Sequence, residues 1–205
     1  MTIPLKYSLE AESAIASYNY TDIVAGTGII VFYAGFASGA GAILSNSTFY
    51  GQPYESSYTT TTGYPVQADS MGFQINFNLP RVIKGDCIIS APIEVAGGGA
   101  NQASANYHWS LYKVSGTTKT FLVSGASGLV ASTGTKEDIT TVSVNIPLTK
   151  FKKNDKLILS GVLLIGQNGG TGNFTAAYDP KNRAGVTITT IDTNLIANIP
   201  FRIDL

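Results

Sequence analysis

Apolar and polar residues alternate strictly at the start of the stretch Met71–Val95, with Phe73, Ile75, Phe77 and Leu79 set against Gln74, Asn76 and Asn78. A period of two carried by aromatic and β-branched residues predicts a half-buried strand. Pro80, which has no N–H to give, ends that ladder. Lys84-Gly85-Asp86 reads as the turn, and Cys87–Val95 returns as a second apolar strand, so the stretch reads as the central hairpin of an antiparallel domain.

The same pattern recurs along the chain. Ser17–Val24 and Gly28–Gly35 read as paired strands joined by Ala25-Gly26-Thr27. In the second, Ile30, Phe32 and Ala34 fall on one face and Ile29, Val31 and Tyr33 on the other, the mark of a strand covered on both sides. Asn106–Val114 alternates His108, Ser110 and Tyr112 with Trp109, Leu111 and Lys113. Thr140–Ile146 turns Val142, Val144 and Ile146 inward, and Pro147 closes it. Lys152-Lys153-Asn154-Asp155 turns into Lys156–Ile165, the most apolar strand; Phe174–Tyr178, Val186–Ile191 and Leu195–Leu205 complete the set. Only residues 1–16 carry helical material, too short to be stable alone, and they read equally as an arm laid on a neighbour or an edge strand. With about ten strands, frequent turn signals and no internal repeat, the chain reads as one all-β domain over residues 1–205. The expected architecture is an antiparallel β-sandwich of jelly-roll or Greek-key type with little or no helix.

Composition narrows the class of partner. Charged residues make up 13% of the chain and the formal net charge is zero, which gives no pull toward nucleic acid or anionic membrane. Neutrality also removes the repulsion that keeps copies apart, as suits a protein housed in an assembly. The opening MTIPLKYSLE has no apolar core of the secretory kind and no apolar run is long enough for a spanning helix, so neither export nor membrane is expected. Without export, the sequons at Asn19, Asn46 and Asn173 read as products of composition. The single cysteine, Cys87, excludes an internal disulfide framework and reads as a buried thiol.

Reactive constellations are scarce. One histidine, His108, cannot build a His-rich metal site, and no nucleophile elbow, zinc-protease helix or phosphate-binding loop occurs. Asp86, Asp155 and Asp179 fall at turn signals, where aspartate bonds its own backbone. Lys150, Lys152, Lys153 and Lys156 form the one basic cluster, read as a solvated edge that discourages strand addition. These features predict no enzyme and no cofactor or metal. The recognition candidates are Tyr7 in the arm, Ile29, Val31 and Tyr33 on the two-faced strand, and Tyr50, Tyr54, Tyr58 and Tyr64 in the Gly/Ser/Thr-rich segment 36–67. Tyrosine offers wide contact area at low entropic cost, so that segment reads either as a binding loop or as an excursion packed on its own sandwich.

The stretches SYNYTDIVAGTGIIVFYAG, FNLPRVIKGD, LTKFKKNDKLIL and DPKNR…NIPFRIDL together resemble the small all-β structural proteins of tailed bacterial or archaeal viruses. The last two are similar to strands of jelly-roll capsid decoration (cement) proteins and of trimeric tumour-necrosis-factor-like heads. The resemblance implies a virion structural protein made in the host cytoplasm. It would form a homotrimer on the outer capsid surface, hold neighbouring major capsid subunits and contact no nucleic acid or membrane. The alternative is a carbohydrate- or receptor-binding module of a head fibre or tail, with Tyr50, Tyr54, Tyr58 and Trp109 stacking on a glycan.

Overall fold

The computed structural model describes residues 16–17, 27–37, 41–46, 54–98, 101–179, 188 and 194–202. Among the described residues every regular element is a strand, as the alternation predicts. In chain order these are β1 (Ala16–Ser17), β2 (Thr27–Ala37), β3 (Gly41–Ser45), β4 (Tyr54–Thr60) and β5 (Val66–Asn76). They continue as β6 (Arg81–Ala96), β7 (Ala103–Ser115), β8 (Thr118–Ala126) and β9 (Val130–Ser132). β10 (Thr135–Phe151), β11 (Lys156–Gln167), β12 (Gly172–Asp179) and β13 (Ile196–Arg202) complete the series.

Hydrogen bonds join all thirteen into one sheet, which folds on itself into a sandwich-like body. One half runs β10–β6, then β12 and β13 along the far edge of β6, then β2 and β3, with β4 on β12 and β1 on β2. The other half is β5–β11–β7, with β8 and β9 on the outer edge of β7. A single parallel bridge between Ile43 and Gln74 connects them. The halves meet through side chains: Phe73 lies 5.4 Å from Tyr178 ring to ring, and Tyr107 donates its hydroxyl to the Pro92 carbonyl at 3.2 Å. Ring pairs at this separation add to the burial of their apolar area.

Inward positions fill the core. Cys87, Ile89, Ala91, Ile93 and Val95 of β6 face Tyr107, Trp109 and Leu111 of β7 and Leu157, Leu159 and Leu163 of β11. Trp109 is accommodated because Gly161, its register partner on β11, has no side chain; a Cβ there would lie 2.4 Å from the indole. The inward alternation of Val142, Val144 and Ile146 agrees with the sequence reading.

Three expectations are corrected. Lys84-Gly85-Asp86 is not a turn: β6 runs straight through it, with Gly85 absorbing the irregularity at φ +119. The chain reverses instead at residues 77–80, and β5 and β6 do not pair; they enter opposite halves, so the predicted hairpin is an arch across the core. Alternation specifies a strand and its faces but not its neighbour, which is why this error is natural. Pro147 does not end its strand either: β10 continues to Phe151 through a bulge between Ile146 and Thr149, the position where a strand tolerates a missing N–H. Residues 1–15, most of the predicted strand Ser17–Val24 and nearly all of Val186–Ile191 lie outside the described residues.

Candidate functional surface

Register places residues of distant segments side by side on the outward face of the β10–β6–β13–β2 half. One row reads Thr141, Ser90, Ile196, Tyr33 and the next Ser143, Ile88, Asn198, Val31; Pro200 and Ile29 follow. Ile29 and Ile88 are 49% and 42% exposed, while Val31, Tyr33, Ile196 and Pro200 are half-buried. The polar members of these rows are small and neutral, and the Ser90 and Thr141 hydroxyls lie 3.2 Å apart; in the adjoining row the exposed carboxylate of Asp86 accepts from Asn145 at 2.7 Å. Around Ile29 and Ile88, isoleucine, valine, tyrosine and short neutral side chains shed their water at little polar cost, with Asp86 the one charge beside them.

Three of the eight recognition candidates, Ile29, Val31 and Tyr33, therefore stand together on this face. The others scatter. Tyr58 packs half-buried against the core. Tyr64 is exposed, yet its hydroxyl donates to Asn106 Oδ1 at 2.8 Å, and its backbone occupies the space that a side chain on Gly166 would need. Tyr7, Tyr50 and the side chain of Tyr54 lie outside the described residues. Trp109, the glycan-stacking candidate, is a core residue with no face to offer a sugar. Ile88, Ile196 and Pro200 escaped the sequence reading although each alternates with core residues. Their signal was there, but only register shows that they adjoin β2.

The face is bounded by charge of opposite sign at its two ends. At one end Glu137, Glu94 and Thr175 are register partners across β10, β6 and β12, with Glu55 nearby on β4. Burial raises the Glu94 carboxyl above its ordinary range, and Glu137 and Glu55 add to the rise; the Thr175 hydroxyl, 3.4 Å away, opposes it. At the other end Lys84 of β6, Lys150 of β10 and Arg202 of β13 are exposed and share the outward parity of their strands.

Beyond this face, the chemistry is that of supports. Asp155 caps the β10–β11 turn as its sequence position predicts. It accepts from the Lys152 N–H at 2.8 Å and the Ser115 hydroxyl at 2.6 Å, and pairs with Lys113 at 3.1 Å. The Ser115 hydroxyl, the Lys152 N–H and Lys113 together bring its carboxyl down to about 2. Cys87 is fully buried, as expected, and desolvation pushes its thiol up to about 12. Inside the sandwich Tyr178 donates to Asp69 Oδ2 at 3.3 Å, while burial raises the phenols of Tyr107 and Tyr178. Such phenols are donors, not bases. His108 is exposed, and among the described residues no group of three His, Cys, Asp or Glu side chains could hold a metal ion. Asp86, expected at a turn, lies within β6.

No family model and no curated protein matches the chain. Solved structures do. An aminopeptidase from a marine sediment archaeon, a Thaumarchaeota archaeon, is 7% identical with a TM-score of 0.54, over 84% of this chain and 37% of that one. A CocE/NonD family hydrolase from Staphylococcus aureus is 9% identical with a TM-score of 0.45, over 83% and 36%. The chain thus spans little more than a third of the length of either enzyme. The expectation that the chain is no enzyme is corrected by the aminopeptidase match, because a fold like this one occurs within an enzyme. At such identity the likeness is one of fold alone.

Proposed function

We propose that the chain is an assembly protein of a virion that docks on the outer capsid surface and ties neighbouring capsid subunits together. The observation that carries this reading is the outward face of β10–β6–β13–β2. It sets exposed Ile29 and Ile88 among side chains that are mostly small and neutral, on a sheet whose other face is core. Zero net charge supports it, since an assembled protein gains nothing from repelling its neighbours. The virion is named on the sequence resemblance. Co-sedimentation with empty capsids tests it: the wild type travels with the particles, and Ile88→Asp stays in the supernatant. A wild type with no capsid affinity overturns the reading.

A second reading is favoured by the fold shared with the archaeal aminopeptidase, namely that this sandwich is a domain of a hydrolase. Release of amine or alcohol from a panel of aminoacyl anilides and esters tests it. Turnover of a member of the panel supports it, and a blank panel removes it.

A further inference from the structure

The outward face is polar along its length in a way that fits the same face turned end for end. On β6, Ile88 lies six residues from Glu94 toward one end and six from Val82, the register partner of Lys150, toward the other. On β10, Ser143 sits opposite Ile88 and lies six residues from Glu137 and seven from Lys150, one of those seven belonging to the bulge. The charges of β10 centre on Ser143, opposite Ile88, with Glu137 at one end and Lys150 at the other; on β6 Glu94 lies six residues from Ile88 and Lys84 four, with Asp86 between Lys84 and Ile88. Six residues of strand are roughly 20 Å. The two ends, twelve residues and so roughly 40 Å apart, are screened from each other in solution but meet opposite charge directly in a contact.

We infer that a second copy of this chain docks on this face through a two-fold contact centred near Ile88, the Glu137/Glu55 end of each copy meeting the Lys84/Lys150/Arg202 end of the other. The inference rests on the reading of the chain as an assembly protein and names its partner. A two-fold contact uses one patch twice, so the patch must complement itself under rotation. This face does. Its middle, built from Ile88, Val31, Ser143 and Asn198, is uncharged; beyond it lie carboxylates toward Glu137 and, past the single carboxylate Asp86, three cations toward Lys150, so the two ends keep opposite net sign. A foreign partner would call for complementarity to itself and would not call for this symmetry.

Light scattering coupled to size exclusion tests the contact. The wild type is expected to run as a dimer. Lys84→Glu/Lys150→Glu places acid against acid and weakens the dimer by at least about 10-fold. Adding Glu137→Lys to that pair sets basic against acidic again and restores much of the loss, a recovery that a folding defect cannot give. Ile88→Asp abolishes association at the centre. A wild type that stays monomeric up to about 100 μM, or that forms a trimer, overturns the inference. So does an association indifferent to both the charge swap and Ile88→Asp. A monomer that still binds empty capsids removes the copy and keeps the assembly reading; a charge-sensitive dimer without capsid affinity does the reverse.

Discussion

The two faces of β6 are made by alternate residues of one strand and have opposite characters. Inward, Cys87, Ile89, Ala91 and Ile93 are fully buried and belong to the shared core. Outward, Asp86, Ile88 and Ser90 stand beside β10 and β13 and meet water. Backbone hydrogen bonds are shared by both faces, so whatever differs between them is side-chain chemistry. Mutations one residue apart should then separate stability from association.

The largest effect belongs to the inner face. Trp109→Ala, which empties the widest site in the core, is expected to cost about 3–5 kcal/mol in urea unfolding. Ile89→Ala follows at about 2–5 kcal/mol. Ile88→Ser, the next residue on the opposite face, should change stability by no more than about 0.5 kcal/mol while dissociating the dimer. A stability loss at Ile88 as large as at Ile89 would mean that the outer face is itself covered by this chain.

Smaller effects come from the two carboxylates at the ends of the body, both more than nine-tenths buried, Glu94 at 8% and Asp155 at 4% exposure. The shifts are opposite, because donors around Asp155 outweigh its burial, whereas at Glu94 burial raises the carboxyl and neighbouring carboxylates add to the rise. For Asp155 the folded value of about 2 lies below the ordinary value near ~3.9 of an unfolded chain. Its contribution is therefore complete above pH ~4 and is lost as pH falls through about 2. Asp155→Asn should flatten the unfolding midpoint over that window and lower it at pH 7. For Glu94 the folded value lies above the unfolded one, so stability is present below pH ~4.3 and lost as pH rises through the folded value. Glu94→Gln keeps the acceptor for Thr175, and should raise the thermal midpoint at pH 7 and leave it unchanged at pH 4. An equal gain at both values would show that the Glu94 charge is not the cause.

Much of this body is written in alternation. The strand of Trp109, the inward set Val142, Val144 and Ile146, the Asp155 turn and the buried Cys87 were all legible, since each is a local pattern of parity or turn chemistry. Pairing was not. Met71–Val95 reads as a hairpin, yet its arms belong to opposite halves, because alternation says that a strand has a wet face and not which strand lies next to it. The surface suffered from the same gap. Ile29, Val31 and Tyr33 could be picked from their two-sided strand, whereas Ile88, Ile196 and Pro200 joined them only through the long-range ladder β6–β13–β2. Tyr58 and Tyr64 looked like recognition residues by type alone; one packs on the core and the other's hydroxyl is committed to Asn106.

The central claim is that the outward face of β10–β6–β13–β2 is the contact surface, and hydroxyl-radical footprinting at low and high protein concentration tests it most directly. Ile29, Tyr33, Ile88 and Ile196 should become protected as the protein is concentrated, while exposed Phe121 and Leu129 react equally at both concentrations. Protection confined to Phe121 and Leu129, or no change at Ile29 and Ile88, would contradict it.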